Sequence, residues 1–270
     1  MKQSDYLLGV NQTELDRLHF QHGVWKGVTD RFFDRIKVQH GWKCLDVGSG
    51  PGFVAMDLRE RVGEQGEITA LEPSEFYLHW FENEATTKGW KNIKFLHGTA
   101  ESAPLPHGYY DFIFVRWVIG FVPDPEKFLT PLFAALRPGG VIALQDYIHE
   151  GLSLFPRGGA FEGMAEAIRA YWRAGGGDPY IAVRVPAIFK KHNIQLLDYT
   201  PNVLAGGPES GVIEWAHRFY STHIQVMVEK GIFSKQQGEA IWKDWLSHRS
   251  LPETIFTSPM VVDMAGVRSK

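Results

Sequence analysis

Leu45-Asp46-Val47-Gly48-Ser49-Gly50-Pro51-Gly52 is the stretch on which the reading of this chain turns. It closes an apolar run, Lys43 to Val47, that reads as a strand. It then opens a segment, Phe53 to Val62, whose Val54, Leu58 and Val62 recur at helical spacing. A glycine-rich turn between a first strand and a first helix lets a ligand approach the backbone closely, at the sheet edge where open α/β folds bind nucleotide-type ligands. The dinucleotide fingerprint G-x-G-x-x-G/A fits less well. Phe53 stands where that motif wants a small residue, and the third glycine falls one place early. NAD and FAD lose ground for that reason.

Outward from this loop, short apolar runs alternate with segments of helical period, the pattern of a mostly parallel sheet covered by helices. Further strands are expected at Glu67–Leu71, Ile93–His97, Tyr110–Arg116 and Val141–Asp146. Ser74 is a plausible cap for a helix running to Lys88, and Gly89 its left-handed stop. Asp124 caps a helix with Pro125 in its first position, and Arg137 to Gly140 end it. After Tyr147 the pattern changes: Glu150 to Asp178 reads as inserted helix and loop. The alternation resumes with a helix around Val185–His192 and a strand at Ile194–Tyr199. Helical stretches at Glu209–Lys230 and Lys235–Ser247 precede a last strand, Met260–Val267. Asp5–Val38 is an amphipathic helix that has to pack on the sheet or cover its mouth.

The chain has 270 residues, and 28 Lys+Arg against 31 Asp+Glu give a formal net charge of −3. That balance supplies no positive field for a phosphate backbone, so nucleic acid is not expected as a partner. The 44% hydrophobic and 22% charged composition is that of an ordinary folded protein. Cys44 is the only cysteine, which removes disulfides and thiolate zinc clusters and fits a reducing, cytoplasmic setting. Met1–Asn11 lacks a signal-like apolar stretch and no later run is long enough to span a bilayer, so a membrane is not expected as a partner either.

The second strand runs into Leu71-Glu72-Pro73, which puts a carboxylate where it can accept both ribose hydroxyls of an adenosine. With that residue the sequence resembles the class I S-adenosylmethionine-dependent methyltransferases. The match runs through Leu45–Gly52, Glu72, Gly98–Pro106, Asp111–Pro125 and Leu136–Asp146 in the family's order and spacing. It is most similar to the small-molecule enzymes of the ubiquinone-biosynthesis type. Tyr6-Leu7-Leu8-Gly9, followed by Glu14, Arg17, Leu18 and Gln21, resembles the N-terminal cap of a bacterial subgroup, as does the ending Met260–Arg268.

The resemblance implies an α/β, doubly wound, mostly parallel seven-stranded Rossmann-like sheet with a helical cap at 1–40, a cofactor-binding core at 41–149, a helical lid at 150–182 and the rest of the core at 183–270, interrupted by helices at 209–249. It implies S-adenosylmethionine as cofactor and S-adenosylhomocysteine as its product. Gly48, Ser49, Gly50 and Gly52 would meet the methionine part, and Asp46 would orient its ammonium group or only hydrogen-bond the loop amides. Glu72 would take the ribose, with Pro73 beside the adenine. The family usually carries an aspartate where this chain has Thr99, which leaves that adenine contact to a hydroxyl or to Glu101. The amide of Ala100 would reach the ring edge. Arg116 would pair with the methionine carboxylate; Trp117 would join it or be ordinary core.

Methyl transfer from a sulfonium needs positioning and exclusion of water more than a dedicated catalytic residue. A general base matters only for a hydroxyl, thiol or acidic carbon. His149, beside Tyr147, ranks first for that role, since a histidine titrating near 6.5 can be neutral and basic at working pH; its bland alternative is a surface loop histidine. Tyr6 and His22 from the cap, with Phe155, Tyr171, Trp172 and Phe219 from the lid, are candidates for holding an apolar or aromatic small-molecule substrate. Each taken singly could equally be lid core. Glu214/His217 and His19/His22 have a metal-like interval but lack a second carboxylate-histidine set, so no metal is expected. A homodimer is compatible with all of this. The rival functions are a protein of the same fold that binds the cofactor without transferring its methyl, and a nicotinamide-dependent oxidoreductase.

Overall fold

The computed structural model describes residues 11–269. Its centre is a seven-stranded sheet with the strand order β3-β2-β1-β4-β5-β10-β7. In chain order, α1 (Gln12–Ile36) precedes β1 (Lys43–Val47), α2 (Phe53–Val62), β2 (Glu67–Glu72), α3 (Glu75–Thr87), β3 (Ile93–His97), β4 (Tyr110–Arg116), α4 (Pro125–Ala135) and β5 (Leu136–Ile148). Then come β6 (Ser153–Phe155), α5 (Met164–Ala174), α6 (Ile181–Lys191), β7 (Ile194–Asn202), β8 (Ala205–Gly206), α7 (Gly211–Glu229), α8 (Lys235–Arg249), β9 (Ile255–Thr257) and β10 (Met260–Arg268). β10 alone in this sheet runs antiparallel to its neighbours. The sheet is thus doubly wound and mostly parallel. The chain turns back between β1 and β4, the switch point beyond whose strand ends open α/β folds bind ligands.

Local chemistry sets most of the boundaries. Asn11, Ser74, Asp124, Ser210 and Ser234 each cap a helix by accepting a backbone amide, and Pro125 fills the first position of α4, where its missing N–H costs nothing. Several expected boundaries move: α1 begins at Gln12, behind its Asn11 cap, rather than at Asp5, and β7 runs on past Tyr199 to Asn202. α6 starts a turn before Val185 and holds Pro186 inside it. The carbonyl of Ala182, which a proline four residues later leaves without its helical partner, accepts the Tyr199 hydroxyl at 3.3 Å instead. β5 starts at Leu136 rather than Val141, absorbing the Pro-Gly-Gly segment through an irregularity opposite Tyr110 and Phe112. A three-stranded antiparallel sheet, β6-β9-β8, was not foreseen; strands of two or three residues carry no readable period.

Apolar burial forms three clusters. Leu129, Leu132, Phe133, Val185 and Phe189 cover one face of the sheet through α4 and α6. Phe32 and Phe33 of α1, with Val54, Leu58 and Phe81, cover the other, and the Phe33 ring meets Phe114 edge-on at 4.9 Å. A third cluster, with Trp25, Phe161, Tyr171, Trp215, Tyr220 and Trp245, joins α5, α7 and α8 to the first half of α1 above the carboxyl ends of the strands. α1 thereby belongs to two cores at once. Among the described residues no helix is long and apolar enough to cross a membrane.

Candidate functional site

A cavity of about 710 Å³ opens at the switch point, between the glycine loop below and α1, α5 and α7 above. Its floor is the β1–α2 turn. Gly48 sits at φ +66°, and a Cβ there would lie 2.5 Å from Val118, so the loop can adopt this path only without a side chain. The amides of Gly48 and Ser49 donate to the Leu71 carbonyl at 2.7 and 3.1 Å, tying the loop to β2.

Glu72 is buried at the end of β2, and each of its carboxylate oxygens accepts one backbone amide: Oε2 from Gly50 at 2.9 Å and Oε1 from Ser74 at 2.8 Å. Burial raises its carboxyl above the ordinary range, and the two amides oppose that shift. Asp46, 2% exposed, is pushed up to about 7, chiefly by burial, with Arg116 pulling the other way. Its Oδ2 and the Ser49 hydroxyl have no hydrogen-bond partner among the described residues. Arg116, at the end of β4, donates to Thr29 Oγ1 at 3.2 Å and to His22 Nδ1 at 3.1 Å, and loss of solvent lowers it to about 10. The floor therefore presents a carboxylate pair and a guanidinium, with acceptor capacity unspent.

The upper half of the cavity is aromatic. Trp117 holds a left-handed backbone, φ +56°, which costs a bulky residue roughly 1–2 kcal/mol. Its ring lies parallel to Tyr147 at 6.1 Å and edge-on to Trp25 at 6.0 Å. His149 is 4% exposed, its ring 4.6 Å from both Tyr147 and Trp172, and neither ring nitrogen has a partner among the described residues. Burial, then Arg169, lowers it to about 3. The expectation of a base near 6.5 is thus corrected, as is its surface alternative: the ring is neutral because water is excluded, and too weak to collect a proton. Burial and Asp146 raise the Tyr147 phenol above its ordinary value.

The expected cofactor residues Asp46, Gly48, Ser49, Gly50, Glu72, Pro73, Arg116 and Trp117 all line this one cavity. Gly52, Thr99, Ala100 and Glu101 do not. Gly52 is committed to packing, since a Cβ there would lie 2.2 Å from the Phe81 ring. The Thr99 loop closes on itself: Ser102 Oγ accepts the Thr99 amide at 3.0 Å and sits 3.1 Å from its hydroxyl, while Ala100 joins the core and Glu101 faces solvent.

Of the expected substrate residues, Trp172 and Phe219 line the cavity. His22 lies behind Arg116 instead, and Tyr171 is fully buried in the helical core. Phe155 is exposed under the Arg157 guanidinium, and Tyr6 lies outside the described residues. Arg17 and Gln21 of α1 line the cavity as well, a placement not anticipated for them. Arg17 binds Glu14 through two contacts of 2.6 and 2.7 Å and donates to Gln21, whose Oε1 also accepts Trp215 Nε1. Their three- and four-residue spacing on one helix was the signal available. Phe53 stacks on His19 at 4.9 Å and lines the cavity. Glu214 pairs with Arg218 and Arg249, and His217 Nδ1 accepts from Trp245 Nε1.

A doubly wound sheet with an acid at the second strand end and a glycine turn at the first is a nucleotide-cofactor domain. Comparison narrows it: residues 45–144 match the family model described as a methyltransferase domain. The core of the sheet, from β1 into β5, is thus similar to a methyltransferase domain. Over 127 residues the chain is 30% identical to a ubiquinone/menaquinone biosynthesis C-methyltransferase of Yersinia enterocolitica, covering 47% of this chain and 49% of that one. Over 107 residues it is 34% identical to a demethylmenaquinone methyltransferase of Geobacillus kaustophilus, covering 40% and 46%. The chain thus spans about half the length of the curated relatives it matches. The Haemonchus contortus phosphoethanolamine N-methyltransferase 2, solved with S-adenosylhomocysteine, shares the fold: TM-score 0.53 at 16% identity, over 86% of this chain and 50% of that one.

Proposed function

We propose that this protein transfers a methyl group from S-adenosylmethionine to a small apolar or aromatic molecule. The observation that carries the reading is Glu72, whose two oxygens are each fixed by a backbone amide and still have lone pairs for the two hydroxyls of a ribose. The donor set fits the rest of the cofactor. Asp46 would face its ammonium, Arg116 its carboxylate, the Gly48–Gly50 backbone its methionine chain and Pro73 the adenine. When bound, the cofactor supplies an electrophilic methyl on sulfonium.

The chain's own residues then orient and dehydrate. Trp117, Tyr147, Trp172 and Phe219 form an apolar wall that holds a flat acceptor and keeps water from the reacting centre. His149 can exchange hydrogen bonds with an acceptor only as a neutral ring, and the Tyr147 hydroxyl stays protonated. With neither His149 nor Tyr147 able to take up a proton, the acceptor is one whose nucleophile is already basic or ionised, such as an amine, a phenolate or an enolate. On this reading α1, α5, α7 and α8 are the cap and lid over the α/β core.

Calorimetric titration with S-adenosylmethionine, S-adenosylhomocysteine and NAD, followed by an acceptor panel read out as S-adenosylhomocysteine release, tests the proposal. Micromolar binding of the two sulfur nucleosides, none of NAD, and turnover with an aromatic acceptor are expected. Absence of binding by both sulfur nucleosides would overturn it.

A further inference from the structure

His22 was expected to touch substrate, yet it is buried with its ring set between two charged groups. Arg116 can only donate, so the 3.1 Å bond from its Nη2 makes His22 Nδ1 the acceptor and places the ring proton on Nε2. That nitrogen sits 3.2 Å from Asp57 Oδ2 on α2, and Lys26 holds the other Asp57 oxygen at 2.8 Å.

The second arm of Arg116 is fixed with the same economy. Nη1 donates to Thr29 Oγ1, and the Thr29 hydroxyl donates to Gln145 Oε1 at 2.8 Å. Gln145 Nε2 in turn donates to Asp263 Oδ1 at 2.6 Å. Thr29, Gln145 and Asp263 are all 0% exposed. Every donor in this line has one acceptor, so the order cannot be reversed at any link. Five elements, α1, α2, β4, β5 and β10, thereby fix one guanidinium at the cavity floor.

We infer that His22 and Thr29 are positioning residues, which aim Arg116 at the carboxylate of the ligand's amino-acid moiety and make α1 a working part of the cofactor site. This rests on the cofactor reading above and goes beyond it: both residues lie outside the region that matches the methyltransferase domain model. A merely structural role would weaken every ligand alike. A positioning role weakens only ligands that carry the carboxylate.

Two ligands separate these cases: S-adenosylhomocysteine, and 5′-methylthioadenosine, which keeps the adenosine and sulfur but lacks the amino-acid moiety. For His22→Leu, the affinity for S-adenosylhomocysteine should fall about tenfold while that for methylthioadenosine changes by less than about twofold. His22→Gln, whose amide can accept from Arg116 and donate to Asp57, should restore binding. Thr29→Val, nearly isosteric, should show the same split, and carries the test if His22→Leu does not fold. Equal losses on both ligands, or no loss in folded variants, overturn the inference. Wild-type protein that binds methylthioadenosine as tightly as S-adenosylhomocysteine also overturns it, by removing the Arg116 contact. Wild-type protein that binds neither overturns the cofactor reading itself.

Discussion

Removing the Glu72 carboxylate separates binding from folding, because its losses add in the one and offset each other in the other. In binding, two ribose hydroxyls would donate to an ionised, nearly solvent-free carboxylate, each bond worth roughly 1.5–3 kcal/mol. Losing both and regaining part through water leaves about 3 kcal/mol, or roughly 150-fold in dissociation constant. In folding, Glu72→Ala frees the amides of Gly50 and Ser74, which costs about 1–3 kcal/mol each if they stay dry. It also removes a carboxyl that burial holds above its ordinary range, and whose ionised form therefore opposes folding at neutral pH. The two folding contributions offset each other. The expected outcome is a folded variant, slightly less stable than wild type, that binds S-adenosylhomocysteine about 150-fold more weakly by calorimetry. Glu72→Gln should lose nearly as much, since its NH₂ group would face one of the same two amides donor to donor. The 2′-deoxy analogue supplies the control: wild type should bind it about tenfold more weakly, and Glu72→Ala should no longer discriminate. A folded Glu72→Ala protein that binds within about threefold of wild type, or still discriminates against the deoxy analogue, refutes the assignment.

Three further outcomes follow from the same geometry. Asp46 titrates near 7 and must be ionised to face an ammonium, so S-adenosylhomocysteine should bind about tenfold more weakly at pH 6 than at pH 8, methylthioadenosine equally at both, and Asp46→Asn should flatten the profile. In the ligand-free protein the same group acts the other way, since the native state binds its proton more tightly than the unfolded chain: its contribution to stability falls as pH rises from the ordinary aspartate value of 3.8 toward 7, and the Asp46→Asn difference in melting temperature should show that slope. Gly52→Ala, at φ +80° with Phe81 in the way, should cost about 3 kcal/mol by denaturant melt, whereas Gly50→Ala, with open space, should cost only about 1; equal costs would refute the packing argument. His149→Phe keeps the stack on Tyr147 and Trp172, so turnover should stay within about tenfold of wild type with no inflection near pH 6.5, and a loss beyond about a hundredfold would restore the histidine to the chemistry.

The floor of the site was legible because its residues are local to strand ends. A strand, a glycine turn and a helix are written in consecutive residues, and Asp46 and Glu72 sit one step from features that periodicity already fixes. The conformation of the Thr99 segment was not legible, for the opposite reason. Spacing put it in the right loop, but a short-range bond from Ser102 folds that loop on itself, and no period records a side chain turning back onto its own turn. The small sheet escaped in the same way, since Phe155 pairs with Ile255 across a long stretch of chain and its strands are too short to alternate.

His22 shows what kind of information a single sequence withholds. On α1 it is a polar residue on the face that also carries Trp25 and Phe32, which reads equally as a substrate contact or a satisfied core histidine. The difference lies in Arg116, 94 positions away, and in Asp57 on a different helix. A buried chain of this length is a poor way to gain stability, because each desolvated group must recover in its partner what it lost in water, and apolar residues of similar volume would pack as well. What apolar residues cannot do is hold a guanidinium in one orientation. The chain ends in Arg116 at the cavity rather than closing within the core, so its cost falls on the folded protein and its benefit appears only when an anionic group arrives. That arrangement is intelligible if α1 is selected for binding geometry, and it accounts for a long helix that splits its length between two cores.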